Sequence, residues 1–186
     1  MGASRPGRGL AAMMLTGGLL ATAASSGGAG DAARPRGPRA PAVKSERWVN
    51  SKPLSALDLQ GKVVLVEFWT FGCINCVRTI PAMRKLHAAL PDRDVAIVSV
   101  HTPEFDHERS PENVEQAVAR LGVRYPVAID NDYRVWRAFK NRYWPALYVV
   151  DRRGVIRHTH IGELHEGTPA WDRVLELIEE LRKEST

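Results

Sequence analysis

The chain has 186 residues, 44% of them hydrophobic and 25% charged, enough apolar material for one cored domain and too much for a disordered polymer. Its formal net charge is +5, but residues 1–42 carry Arg5, Arg8, Arg34, Arg36 and Arg39 against one acid, Asp31, so +4 of that charge precedes the part that reads as folded. The remainder is near neutral, and the basic balance gives no ground for a nucleic-acid partner.

Arg5 and Arg8 stand ahead of an apolar run from Leu10 to Ala24, broken by Gly17 and Gly18 and closed by Ala21-Thr22-Ala23. That order is the one of an export signal, and the run is shorter than the roughly 20 residues of a spanning helix. We expect a signal peptide or anchor over 1–24, with cleavage near Ala23 or Ala24 if it is removed. Residues 25–44, rich in Gly, Ala, Ser, Pro and Arg, read as a flexible linker whose arginines suit contact with an anionic membrane surface. The folded domain is expected over 45–186.

Within it, Lys62 to Phe68 is an apolar, β-branched strand, and the residues from 74 to about 90 read as a helix. Val95 to Val100 is a second buried strand, parallel to the first because a helix connects them. Ser110-Pro111 is an N-cap followed by proline at the first helical position, with Val114, Ala117, Val118 and Leu121 as the apolar face and Gly122 as the stop. A short strand at 126–129 and a short helix at 133–139 follow. Residues 146–150 and 155–160 form a hairpin through Asp151-Arg152-Arg153-Gly154. Thr168-Pro169 opens the last helix, with Trp171, Val174, Leu175, Ile178 and Leu181 as its inner face. The result is an α/β fold with a mixed sheet and helices on both faces.

The two cysteines, Cys73 and Cys76, lie at the junction of the first strand and its helix. At this spacing the first helical turn brings both sulfurs within bonding reach. The unpartnered N–H groups and the partial positive charge of a helix N-terminus favour a thiolate there, and such sites lower a cysteine pKa from about 8.5 to roughly 3.5–7.5. Cys73 is therefore the expected exposed attacker and Cys76, one turn inside, the resolving sulfur. A static disulfide or half of a zinc site are the competing readings. The chain has no second cysteine pair, and of His87, His101, His107, His158, His160 and His165 only His158 and His160 alternate on one strand face.

Phe68-Trp69-Thr70-Phe71-Gly72-Cys73-Ile74-Asn75-Cys76, with Pro81 following, resembles the signature of the thioredoxin superfamily over roughly residues 45–184. More narrowly the chain is similar to exported thiol–disulfide oxidoreductases of the TlpA type, and closest to the thioredoxin-like domain of DipZ-type proteins. Trp48 to Leu54, Val100 to Phe105, Asp130 to Tyr133 and Asn141 to Pro145 carry that narrower likeness. The resemblance implies a thioredoxin-like fold, no cofactor, protein disulfides or thiols as substrates, a monomer, and residence in the periplasm or cell envelope. DipZ-type proteins also carry a multi-span domain that this chain lacks, so the reductant is expected from a separate membrane donor of the CcdA or DsbD type.

The same resemblance places Pro145 as a cis-proline beside the cysteine pair, where the Trp144 backbone could pair with an extended substrate. Glu67 falls where the family often has a buried acid beneath the resolving cysteine. There it could take the Cys76 proton, perched in an apolar strand that raises its pKa; alternatively it turns outward or pairs with Lys62. Phe71 and Trp144 are candidate substrate contacts, and Trp69 is better explained as core. His101, at a strand's carboxyl end, is a candidate neighbour of the pair, and Arg78 reads as a solvated cation. Direction is read as reductive. Two rivals remain: a thiol peroxidase, from the order Thr70-x-x-Cys73 although Val66 stands where peroxiredoxins need proline, and a metal-binding or metallochaperone module, although copper carriers on this fold usually have three residues between the cysteines.

Overall fold

The structure is a computed structural model that describes residues 1–2 and 37–184. Apart from residues 1–2, the expected signal over 1–24 lies outside the described residues, as does most of the expected linker. Among those described, no helix is long and apolar enough to cross a membrane.

Six strands form one sheet in the order β1-β4-β3-β2-β5-β6. They are β1 (Trp48–Val49), β2 (Val63–Trp69), β3 (Val95–His101), β4 (Val127–Ile129), β5 (Ala146–Val150) and β6 (Ile156–Ile161). β2, β3 and β4 are parallel, and β1, β5 and β6 run antiparallel to their neighbours. The helices are α1 (Ala56–Leu59), α2 (Ile74–Ala89), α3 (Pro111–Arg120), α4 (Arg134–Ala138) and α5 (Pro169–Lys183), with a 3-10 turn at Asp106–Arg109. The mixed sheet with helices on both faces is a thioredoxin-like fold, as expected. β1, α1 and the 3-10 turn, each of four residues or fewer, have too short a pattern to be read from periodicity.

β2 is buried along its whole length and divides its side chains between two cores. Val63, Leu65 and Trp69 join Cys76, Ile80, Met83 and Leu86 of α2 and Trp171, Val174, Ile178 and Leu181 of α5. Val64, Val66 and Phe68 join Val135 and Phe139 of the α4 region, Tyr148 of β5, and Leu54 and Leu59 around α1. α5 departs from expectation at one position: Leu177 is buried and Leu175 only partly so. At about 100° per residue Leu177 and Leu175 flank the arc of Val174, Ile178 and Leu181 on opposite sides, with Leu177 the nearer to it.

Local signals act where the sequence places them. Ser110 accepts from the Asn113 N–H and Thr168 from the Trp171 N–H, capping α3 and α5. α3 ends with Gly122 at φ +66°, the Val123 N–H on the Val118 carbonyl and the Gly122 N–H on the Ala119 carbonyl. Residues 37–43, inside the expected linker, are packed: Arg39 bridges to Val155, the Ala40 N–H donates to the Gly154 carbonyl, and Ala40 and Val43 sit against the second core. The flexible composition of this stretch is overridden by its pairing with the β5–β6 turn.

Candidate active site

β2, β3 and β4 deliver their carboxyl ends to one rim of the sheet, and residues 70–73 cross from β2 to α2 there. Cys73 is the N-cap of α2, in extended conformation and partly exposed, and its sulfur makes no capping hydrogen bond. Cys76, the third residue of the helix, is fully buried, and both thiols are free. Burial pushes the Cys76 thiol far up; the Thr70 N–H opposes this, while the Cys73 sulfur and the Glu67 charge add to it. The two sulfurs thus differ in access, and ionising the buried Cys76 is costly.

Glu67 points into the same core as Cys76, and it is 1% exposed. The alternative of an outward or Lys62-paired carboxylate does not hold. Ser99, its partner in the β2–β3 register, donates its hydroxyl to Oε2 at 2.9 Å. Burial raises the carboxyl to about 7, against the smaller opposing effects of the Ser99 and Tyr125 hydroxyls. Tyr125 is buried with its hydroxyl facing that carboxylate, while Trp69 Nε1 in the same core lacks a hydrogen-bond partner. Such an orphaned buried group is uncommon. The site has an acid whose carboxyl burial raises well above its ordinary value, within reach of the buried thiol.

The Trp144–Pro145 bond is cis. Ala146 pairs with Phe68, which sets Pro145 beside the end of β2 from which the cysteine loop departs. Trp144 is partly buried, donates its Nε1–H to the Thr102 carbonyl at 3.1 Å and lies 4.1 Å from Trp136 between ring centroids. Phe71 is partly exposed and stacks on His101. Ile74, the residue after Cys73, and Phe105, whose ring lies close to Gly72, are more than half exposed, as is Tyr143. Trp69 is core, and Arg78 is exposed with a 3.5 Å ion pair to Glu163.

His101 is buried beneath this surface, its Nε2 3.3 Å from Thr70 Oγ1 and its Nδ1 unpartnered. Burial pushes it down to about 4, despite the nearby Glu108 charge. The Thr70 hydroxyl, which a peroxidase reading would set on the Cys73 sulfur, is engaged with His101 instead. His158 and His160 share a face of β6, and burial, then His160 and Arg173, lowers His158. Among the described residues no group of three or more His, Cys, Asp or Glu side chains could hold a metal ion.

The sequence reading passed over Ser99, Tyr125 and Glu108. Ser99 could have been found by pairing β2 with β3 in register; Tyr125 and Glu108 sit in segments without periodicity and carry no such signal. Glu108 is fully buried and accepts from the Gly72 N–H at 2.6 Å, the Phe105 N–H at 2.8 Å and the Glu104 N–H at 2.5 Å. Burial acts to raise its carboxyl, but the Thr70 hydroxyl and these three N–H groups outweigh it and hold it below the usual range.

Comparison with known proteins places these features. The profile of the AhpC/TSA family matches residues 37–159. Over 119 residues the chain is 45% identical to Protein DipZ of Mycobacterium bovis, covering 62% of this chain and 17% of that protein. It is 28% identical to the thiol-disulfide oxidoreductase YkuV of Bacillus subtilis, covering 62% of this chain and 77% of the relative. The crystal structure of a thiol-disulfide isomerase from Corynebacterium glutamicum superposes with a TM-score of 0.65 at 26% identity, over 78% of this chain and 98% of that one. The chain spans about a sixth of the length of the mycobacterial relative.

Proposed function

Because the chain belongs to the AhpC/TSA family and carries a thioredoxin-like fold, we propose that it is an exported thiol–disulfide oxidoreductase that reduces protein disulfides through Cys73 and Cys76. The observation that carries this reading is the unequal placement of the two sulfurs: one partly exposed at the mouth of α2, the other sealed in the core within reach of the Glu67 charge.

In the proposed reaction the Cys73 thiolate attacks one sulfur of a substrate disulfide, forming a mixed disulfide and releasing the other substrate sulfur as a thiolate, which takes up a proton. Cys76 then gives its proton to Glu67 and attacks Cys73 Sγ. The Cys73–Cys76 disulfide forms, the second substrate sulfur leaves as a thiolate that takes up a proton, and two electrons have passed from the dithiol to the substrate. A carboxyl near 7 is matched to this task, since it can accept a proton at neutral pH without being a permanent charge in the core. Phe71, Trp144 and cis-Pro145 hold the substrate segment, with the Trp144 backbone as its pairing edge. Electrons for the next turnover come from a membrane donor of the CcdA or DsbD type, as the family resemblance implies.

Trapping tests the reading. Cys76→Ser expressed with its leader is expected to accumulate mixed disulfides that reducing agent releases, each mapping to Cys73. Adducts absent from Cys76→Ser, or persisting when Cys73 is also replaced by serine, would overturn it.

A further inference from the structure

Glu108 is a buried carboxylate that the proposed chemistry does not use. Its two oxygens have different work. Oε2 accepts the Glu104 and Phe105 N–H groups, a local arrangement that caps the 3-10 turn of Asp106–Arg109. Oε1 accepts the Gly72 N–H, 36 positions away in the chain and immediately before Cys73. Capping the turn does not require that second bond.

The fit at Gly72 is close. A Cβ added there would collide with Glu108 Oε1, and would stand 3.2 Å from Glu108 Cδ and 3.5 Å from Phe105 Cδ2. Gly72 does not have a left-handed backbone, so glycine is needed here for the approach of the carboxylate and not for conformational freedom. Two positions earlier, Thr70 is fully buried with its hydroxyl against His101. The loop that ends in Cys73 is therefore gripped at Thr70 and again at Gly72.

We propose that Glu108 is a positioning residue for Cys73, its carboxylate pinning the Gly72 N–H so that the sulfur projects from a fixed loop. The inference rests on the thiol–disulfide reading of the cysteine pair. Attack on a disulfide needs the sulfur aligned with the S–S bond, and misplacement by about 1 Å can cost on the order of 10²-fold in rate. A small alkylating reagent makes a weaker geometric demand.

The test compares Glu108→Ala, Gly72→Ala and the double variant in the full chain, with Ser110→Ala as control. Ser110→Ala removes the cap of α3 next to the same segment without touching Gly72. Each reduced protein, carrying Cys76→Ser so that the adduct persists, is measured for its unfolding midpoint, its rate of mixed-disulfide formation with glutathione disulfide, and its rate of Cys73 alkylation by iodoacetamide across pH, with Cys76→Ser alone as the reference. Both single variants are expected to slow mixed-disulfide formation by about tenfold or more while alkylation at its high-pH plateau changes less than twofold. The double variant should be no slower than the worse single one, because both break one contact. Ser110→Ala should lower the midpoint and leave both rates alone. Folded Glu108→Ala and Gly72→Ala proteins that form the mixed disulfide at the reference rate would overturn the assignment, as would effects that multiply in the double variant. Should Glu108→Ala not fold, Gly72→Ala decides by the same criterion. A Cys76→Ser protein without further change that forms no mixed disulfide at Cys73 instead overturns the oxidoreductase reading itself.

Discussion

The two faces of the sheet are built from alternate residues of the same strand, yet they differ in kind. Toward α4, β2 contributes Val64, Val66 and Phe68, the Phe68 ring packs edge-on against Trp136, Phe139 and Tyr148, and the Tyr148 hydroxyl is satisfied by Asn141. Toward α2 and α5, the same strand contributes Glu67 and Trp69, so the core that holds Cys76 also buries a carboxyl, the Tyr125 hydroxyl of the loop before β4 and an indole N–H without a partner. The quiet face supplies stability through area and aromatic packing. The other face holds polar groups at a cost of about 1–3 kcal/mol each when left unsatisfied, a cost consistent with groups kept for chemistry.

The sharpest way to break this comparison is to remove the attacking sulfur. Cys73→Ser is expected to abolish disulfide exchange while leaving the unfolding midpoint of the reduced protein within a degree or two, since its side chain makes no capping bond. A variant that still reduces disulfides would erase the distinction between the faces. Phe68→Ala tests the quiet face: it should cost about 3–5 kcal/mol in denaturant unfolding and leave the Cys73 alkylation rate of the folded protein unchanged. A changed alkylation rate would mean that the two cores are not separable.

Glu67 gives a pH signature. Its folded value of about 7 lies above the ordinary 4.5, so as pH rises the unfolded chain loses this proton first. Stability contributed by the neutral carboxyl is fully present below about pH 4.5, declines up to about pH 7 and is level beyond. The gap corresponds to about 3 kcal/mol. Glu67→Gln should remove that decline, making the protein more stable than wild type at pH 8, and should slow resolution of a Cys73 mixed disulfide by about 10²-fold. Equal pH slopes for the two proteins would show that the carboxyl is not held neutral. The smallest effect concerns α5, which covers the redox face: Thr168→Ala removes a cap bond and should cost about 1 kcal/mol, measurable as a shift in denaturant midpoint without change in exchange rate.

Legibility in the sequence follows the same division. The strands and long helices were readable because β2, β3 and β5 are continuous apolar runs and α3 and α5 carry an N-cap, a following proline and a periodic face. Cys73, Cys76 and the cis-Pro145 position were readable because their signals are local or carried by the family resemblance. Leu177 was missed because Leu175 satisfies the same spacing rule from the margin of the arc. Tyr125 and Glu108 were not legible at all, since what gives each its role is a contact made across the fold: Tyr125 with Glu67, 58 positions away by number, and Glu108 with Gly72. Residues 37–43 misled in the opposite direction, because a composition typical of linkers does not disclose that the backbone pairs with a distant hairpin.

The most direct test of the division of labour between the sulfurs is timed alkylation of the native, reduced protein followed by mass mapping of the labelled peptides. The label should appear on Cys73 while Cys76 stays protected until the protein is unfolded. Label arriving first on Cys76, or on both thiols at one rate, would contradict the account.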